Sequence, residues 1–94
     1  MELTDIRLKI DAIDNAIVHL LAQRSHLVSA AGKLKKDEHS VRDAKRVEQV
    51  IERVKAKAVE SGLAPDVVEK IYRTIIGSFV DKELKEFQHE KTPV

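Results

Sequence analysis

The chain has 94 residues, enough for one small domain and too few for two. It is 43% hydrophobic but only 3% aromatic, and 35% of it is charged with the signs nearly cancelling at +1, a balance that argues against a general nucleic-acid binder. No cysteine is present, so there is no disulfide framework or thiolate metal site, and no apolar run approaches the roughly 20 residues that span a bilayer. The charged opening "MELTDIRLKI" lacks the apolar core of a signal peptide, and the expected location is the cytoplasm.

Three helices are predicted, all-α, in one domain over residues 1–94. Thr4 is a candidate cap for the first, with Asp5 in its first turn. A heptad rhythm then runs through Ile6, Ile10, Ile13, Ile17, Leu20, Arg24, Leu27, Ala31 and Leu34, and nothing stops it before "KKDEHS". A second helix fits from about Val41 to Ser61, with Val47, Val50, Ile51, Val54 and Ala58 inside and Gly62 as its stop. Pro65 opens a third helix that runs to about His89, after which "EKTPV" frays. Gly77, in mid-helix, costs about 1 kcal/mol relative to alanine and is a candidate for close packing. A first helix of some 32 residues would be roughly 48 Å long. Such a rod overhangs its shorter partners, so an intertwined homodimer is expected.

A second stripe on the first helix runs Arg7, Ile10, Asp14, Ile17, Leu21, Arg24, Val28, Ala31, Lys35. Arg24 belongs to both stripes and points inward, where it needs an anionic partner. That partner is either an internal acid such as Asp14 or a bound anion. Arg24 and Lys35, about 16 Å apart along one face, could clasp one small anion; Arg7, about 25 Å from Arg24, could join only from a second chain. Arg42, Asp43 and Arg46 open the second helix, where free N–H groups also favour an anion, although Arg42 reads better as solvated. On the third helix Tyr72, Ile76, Phe79, Glu83 and Phe87 share a stripe. Glu83 is a carboxylate in an oily row, either a salt-bridge partner for a buried cation or a functional group. His19 and His26 are badly spaced for a metal, His39 sits in a loop and His89 near the end. Lys55, Lys57, Glu60, Lys82, Lys85 and Glu86 read as a solvated face.

The segments "DIRLKIDAIDNAIVHLLAQRSHLVSAAGKLK", "VRDAKRV" and "IYRTIIGSFVDKEL" resemble, over nearly the whole chain, the all-helical chorismate mutases of the bacterial type. The resemblance implies an intertwined three-helix homodimer with two composite sites and a Claisen rearrangement of chorismate to prephenate, in aromatic amino acid biosynthesis. That pericyclic reaction requires no metal or redox cofactor. By the same resemblance Arg24 and a second chain's Arg7 would bind the substrate carboxylates. Lys35 would contact a carboxylate and the ether oxygen, with Arg46 supporting. Asp43 would help with the ring hydroxyl, and Glu83 would stand where the family often has a glutamine that donates to the ether oxygen. Working as a neutral acid, Glu83 would give activity that rises toward mildly acidic pH.

Val47 and Phe79 depart from the best-studied mutases, which have a hydroxyl-reading glutamate and a serine there. Both resemble the isochorismate-pyruvate lyase branch, and an aminodeoxychorismate mutase is the other alternative. Asp43 and the overall pattern favour the mutase. From a different class, a non-catalytic helical dimerisation module would account for the heptads but not for the inward cations.

Overall fold

A computed structural model describes residues 2–35, 37 and 41–91. Among these residues the chain is all-α: α1 spans Leu3–Gly32, α2 Ala44–Ser61 and α3 Pro65–Lys91. The region "KKDEHS" lies mostly outside the described residues, as do His39 and the last three residues of "EKTPV".

The α2–α3 hairpin forms because both helices carry an apolar row and the joint between them is unambiguous. Gly62 stands at φ +75°, the left-handed conformation that ends α2, and its N–H and that of Leu63 return to carbonyls of the last turn. Pro65 is the first residue of α3, where its missing N–H leaves no bond unmade. Val50, Ile51, Val54 and Ala58 of α2 pack on Val68 and Ile76 of α3, with Val47, Tyr72 and Val80 against them. Each large side chain buried this way contributes about 1.5–3 kcal/mol. On its outer face the hairpin is laced by Arg73, which donates from both terminal nitrogens to Glu48 and from Nε to Glu69 at 2.9 Å. Lys55 also reaches Glu69, at 3.3 Å.

The predicted boundaries shift in two places. α1 begins at Leu3 behind Glu2, so Thr4 sits inside the first turn rather than capping it, while Asp5 is in that turn as expected. It ends at Gly32, and Lys33 and Leu34 form a turn, so Lys35 lies beyond the helix rather than on its face. α2 begins at Ala44, three residues later than the pattern suggests, because Asp43 caps it: its carboxylate accepts the N–H of Arg46 at 3.0 Å. Gly77 is no close-packing point within the chain, since a Cβ there would meet nothing within 4 Å.

The long helix is the unusual element. α1 contains no buried residue, and every position from Glu2 to Leu20 is exposed. Only from Leu21 onward does it lean on α3. Ile6, Ile10, Ile13, Ile17 and Leu20 all lie open along one side. The result is a molecule of 58 × 29 × 16 Å with a radius of gyration of 16.6 Å, against about 12 Å for a compact chain of this length.

Candidate active site

Where the C-terminal part of α1 meets the α2–α3 hairpin, the helices border a half-open cavity of about 580 Å³. The second stripe of α1 supplies one wall through Arg24, Val28 and Ala31, and Lys35 turns back over it from beyond the helix end. α2 and its cap contribute Asp43, Arg46, Val47, Val50 and Arg53, and α3 contributes Tyr72, Ile76, Phe79, Val80 and Glu83. Among the described residues, four of the lining side chains are basic (Arg24, Lys35, Arg46, Arg53) and two acidic (Asp43, Glu83), an excess of two cations.

Arg24 is held without an acid. Its guanidinium carbon lies 4.8 Å from the centre of the Phe79 ring, a cation–π distance, and its Nη1 is buried with no hydrogen-bond acceptor. Asp14, the internal partner considered from sequence, is exposed. A buried guanidinium N–H without an acceptor costs about 1–3 kcal/mol. Among the described residues the ring beneath the guanidinium offsets part of that cost.

Glu83 is the buried polar residue of the core, 4% exposed. Lys35 Nζ donates to its Oε1 at 2.9 Å, so the salt-bridge role considered from sequence is realised with Lys35. That leaves Arg24 with a free donor, and Lys35–Glu83 as a pair in the same cavity, Glu83 one helical turn beyond the Phe79 ring that carries Arg24. Below this level Ser29 ties α1 to α3. Its hydroxyl donates to Glu86 at 3.1 Å, and Lys82 donates to both Ser29 and Glu86. Glu86 therefore belongs to an interhelical contact, not to a simple solvated face, and the Lys82 hydrogen bond holds its carboxyl below the usual carboxylate range.

Of the residues singled out from sequence, Arg24, Lys35, Asp43, Arg46, Val47, Phe79 and Glu83 all line this one cavity. Arg7 does not: it is exposed on the free half of α1. Asp43 stands at the mouth with one oxygen engaged as the helix cap. Arg53 lines the cavity without having been singled out, and Tyr72, read from sequence as part of the stripe of the third helix, lines it too. A signal for Arg53 exists, since Arg46, Val50 and Arg53 follow at four and three residues on one helical face. His19 bonds Gln23 at 3.1 Å on the exposed side, away from the cavity. No group of three His, Asp or Glu side chains that could hold a metal occurs among the described residues, and none of their helices is long and apolar enough to cross a membrane.

The three helices thus gather an excess of cations around a buried carboxylate, a lining whose chemistry suits a small anion. Residues 6–84 match the type II chorismate mutases, and the chain belongs to that family, whose enzymes act on a small dicarboxylic acid. An isochorismate pyruvate lyase from Pseudomonas aeruginosa is 34% identical to it over 83 residues, covering 88% of this chain and 82% of that protein.

Proposed function

We propose that the protein is a chorismate mutase, rearranging chorismate to prephenate in a cavity completed by a second copy of the chain. The observation that carries this is the cationic excess among the cavity's described lining residues, with Arg24 Nη1 buried and unpartnered, against a substrate that carries two carboxylates. Guanidinium binds carboxylate through two parallel N–H···O bonds, and Arg24, steadied on Phe79, presents such a donor.

The reaction breaks the ether C–O bond as a C–C bond forms, with no covalent intermediate on the protein. Catalysis then consists of folding the substrate into the reactive pose and stabilising charge that grows on the ether oxygen. Arg24 takes one carboxylate. Lys35 lies beside Glu83, so its ammonium can serve both a carboxylate and the ether oxygen, with Glu83 next to it. Arg46 supports a carboxylate from the rim, Asp43 offers its second oxygen to the ring hydroxyl, and Val47 and Phe79 wall the ring. Arg7 enters from the second copy, whose α1 would also cover the open row of isoleucines. No metal or cofactor takes part in these steps.

A second reading, isochorismate-pyruvate lyase, is favoured by one feature of the wall. Val47 presents no hydroxyl reader, and Phe79 is an aromatic in the position that carries Arg24; the similarity to a lyase points the same way. Purified protein incubated separately with chorismate, isochorismate and aminodeoxychorismate decides between them. Prephenate from chorismate is expected. Salicylate with pyruvate from isochorismate would establish the lyase instead, and turnover of none of the three would overturn both readings.

A further inference from the structure

Gly32 is the last residue of α1, and its conformation does not call for glycine, since the one positive φ among the described residues is at Gly62. What it lacks is a side chain. A Cβ built there would stand 2.8 Å from Glu83 Oε1, 3.1 Å from its Cγ and 3.4 Å from its Cδ. The contact lies against the carboxylate and its stem, across the interface between the end of α1 and α3. The same residue holds Lys35 in place through its backbone, because the Gly32 carbonyl accepts the Lys35 N–H at 3.1 Å. Lys35 Nζ then reaches Glu83 Oε1 at 2.9 Å. One residue therefore anchors the cation by its carbonyl and admits the carboxylate by its missing methyl group.

We propose that Gly32 is a positioning residue, whose absent side chain sets where the Glu83 carboxylate stands and so fixes the Lys35–Glu83 pair in the cavity. The catalytic part of this inference rests on the reading that Glu83 and Lys35 face the breaking bond; the geometric part does not. A methyl group at position 32 obliges the Glu83 oxygen to retreat by roughly half an ångström or more to reach ordinary contact. Displacements of about 1 Å in a catalytic group cost roughly 100-fold in rate. Alanine is also the better helix former, so the substitution does not weaken α1 by propensity.

The experiment is Gly32→Ala in two backgrounds. In the wild-type background kcat should fall by roughly 10- to 100-fold, with a smaller change in KM. In a Glu83→Ala background the same substitution should change kcat/KM by less than about twofold, because the carboxylate it displaces is gone. Equal losses in both backgrounds, or full activity of the Gly32→Ala protein, would overturn the proposal. A readout independent of turnover accompanies it: the Lys35–Glu83 coupling, measured by urea unfolding of Lys35→Met, Glu83→Ala and the double variant. Repeated with alanine at position 32, that coupling should fall by more than half. Coupling unchanged by the methyl group refutes the positioning. Coupling lost in a protein that turns over none of the three substrates refutes the functional reading alone.

Discussion

Replacing Arg24 by methionine separates the cost of this residue from its use. The substitution keeps an unbranched side chain of similar length and removes the charge. In the empty site it removes a buried N–H that has no acceptor, worth about 1–3 kcal/mol. It also removes a cation–π contact with Phe79 worth about 0.5–2 kcal/mol. The difference runs from about 1 kcal/mol of destabilisation to about 2.5 kcal/mol of stabilisation, so the protein should change little in stability or gain it. For a chain this short, each kcal/mol raises Tm by about 4–8 °C. Activity should move the other way. Two charge-assisted bonds to a carboxylate at about 1.5–3 kcal/mol each correspond to a loss of roughly 10²- to 10⁴-fold in kcat/KM. The assay pairs urea unfolding followed by circular dichroism, at one fixed protein concentration, with the loss of substrate absorbance. Destabilisation by more than about 2 kcal/mol would show that Arg24 is a structural cation whose partner the cavity supplies, and the reasoning from its free Nη1 would fail.

Three further outcomes are expected. Gly62→Ala should cost about 1–2 kcal/mol by urea unfolding, all of it conformational, because φ is +75° and a Cβ there meets nothing within 4 Å; Gly62→Asn should recover part of the loss. Ile17→Lys, in the middle of the exposed row of α1, should convert a particle of about twice 10.6 kDa to one of single-chain mass in sedimentation and abolish turnover, whereas a wild-type protein that sediments as a monomer at micromolar concentration refutes the composite site. Glu69 and Glu86 are both held below their ordinary value of 4.5, Glu69 chiefly by Arg73 and then Lys55, Glu86 chiefly by Lys82. The unfolded chain therefore takes up protons that the folded one refuses. This stability is complete above about pH 4.5 and is lost as pH falls through the lower folded values. Both groups are solvated, so the urea midpoint should decline gently below pH 4.5, and less at 0.5 M salt.

Much of the fold could be read along the chain because its determinants are local. Gly62 and Pro65 mark the α2–α3 joint, and the rows through Val50–Ala58 and Tyr72–Phe87 identify the packed faces by spacing alone. The same periodicity placed Glu83 on an inward face. What escaped depends on the approach of distant segments. The fit of Gly32 to Glu83 exists only once the end of α1 lies against α3, and a glycine at a helix end carries no mark that distinguishes space from termination. The Phe79 ring under Arg24 is a contact across 55 residues, and the stripe that puts Phe79 on an inward face does not say which cation it meets. Ser29, which ties α1 to Glu86, is a lone serine with no periodic signal. Asp43 is different. Its position just before the row of α2 is a capping signal, and reading it only as a substrate contact passed over the simpler local role.

The arrangement of charges in the cavity argues against a merely structural origin. Had Arg24 and Glu83 been retained to satisfy one another, the two would pair and the cavity wall would be neutral at its centre. Instead Glu83 takes Lys35, a residue beyond the end of α1, and Arg24 rests on a phenyl ring with a buried N–H facing no acceptor. A small core gains nothing from that choice, since an apolar residue at position 24 would pack on Phe79 without the desolvation cost. The unpaired donor is of use only when something else brings the acceptor. The excess of positive charge among the described lining residues favours an anionic visitor, and the cavity volume of about 580 Å³ lies in the range of small-molecule sites. On the proposed reading, a folded dicarboxylate supplies the acceptors that these cations lack within the chain.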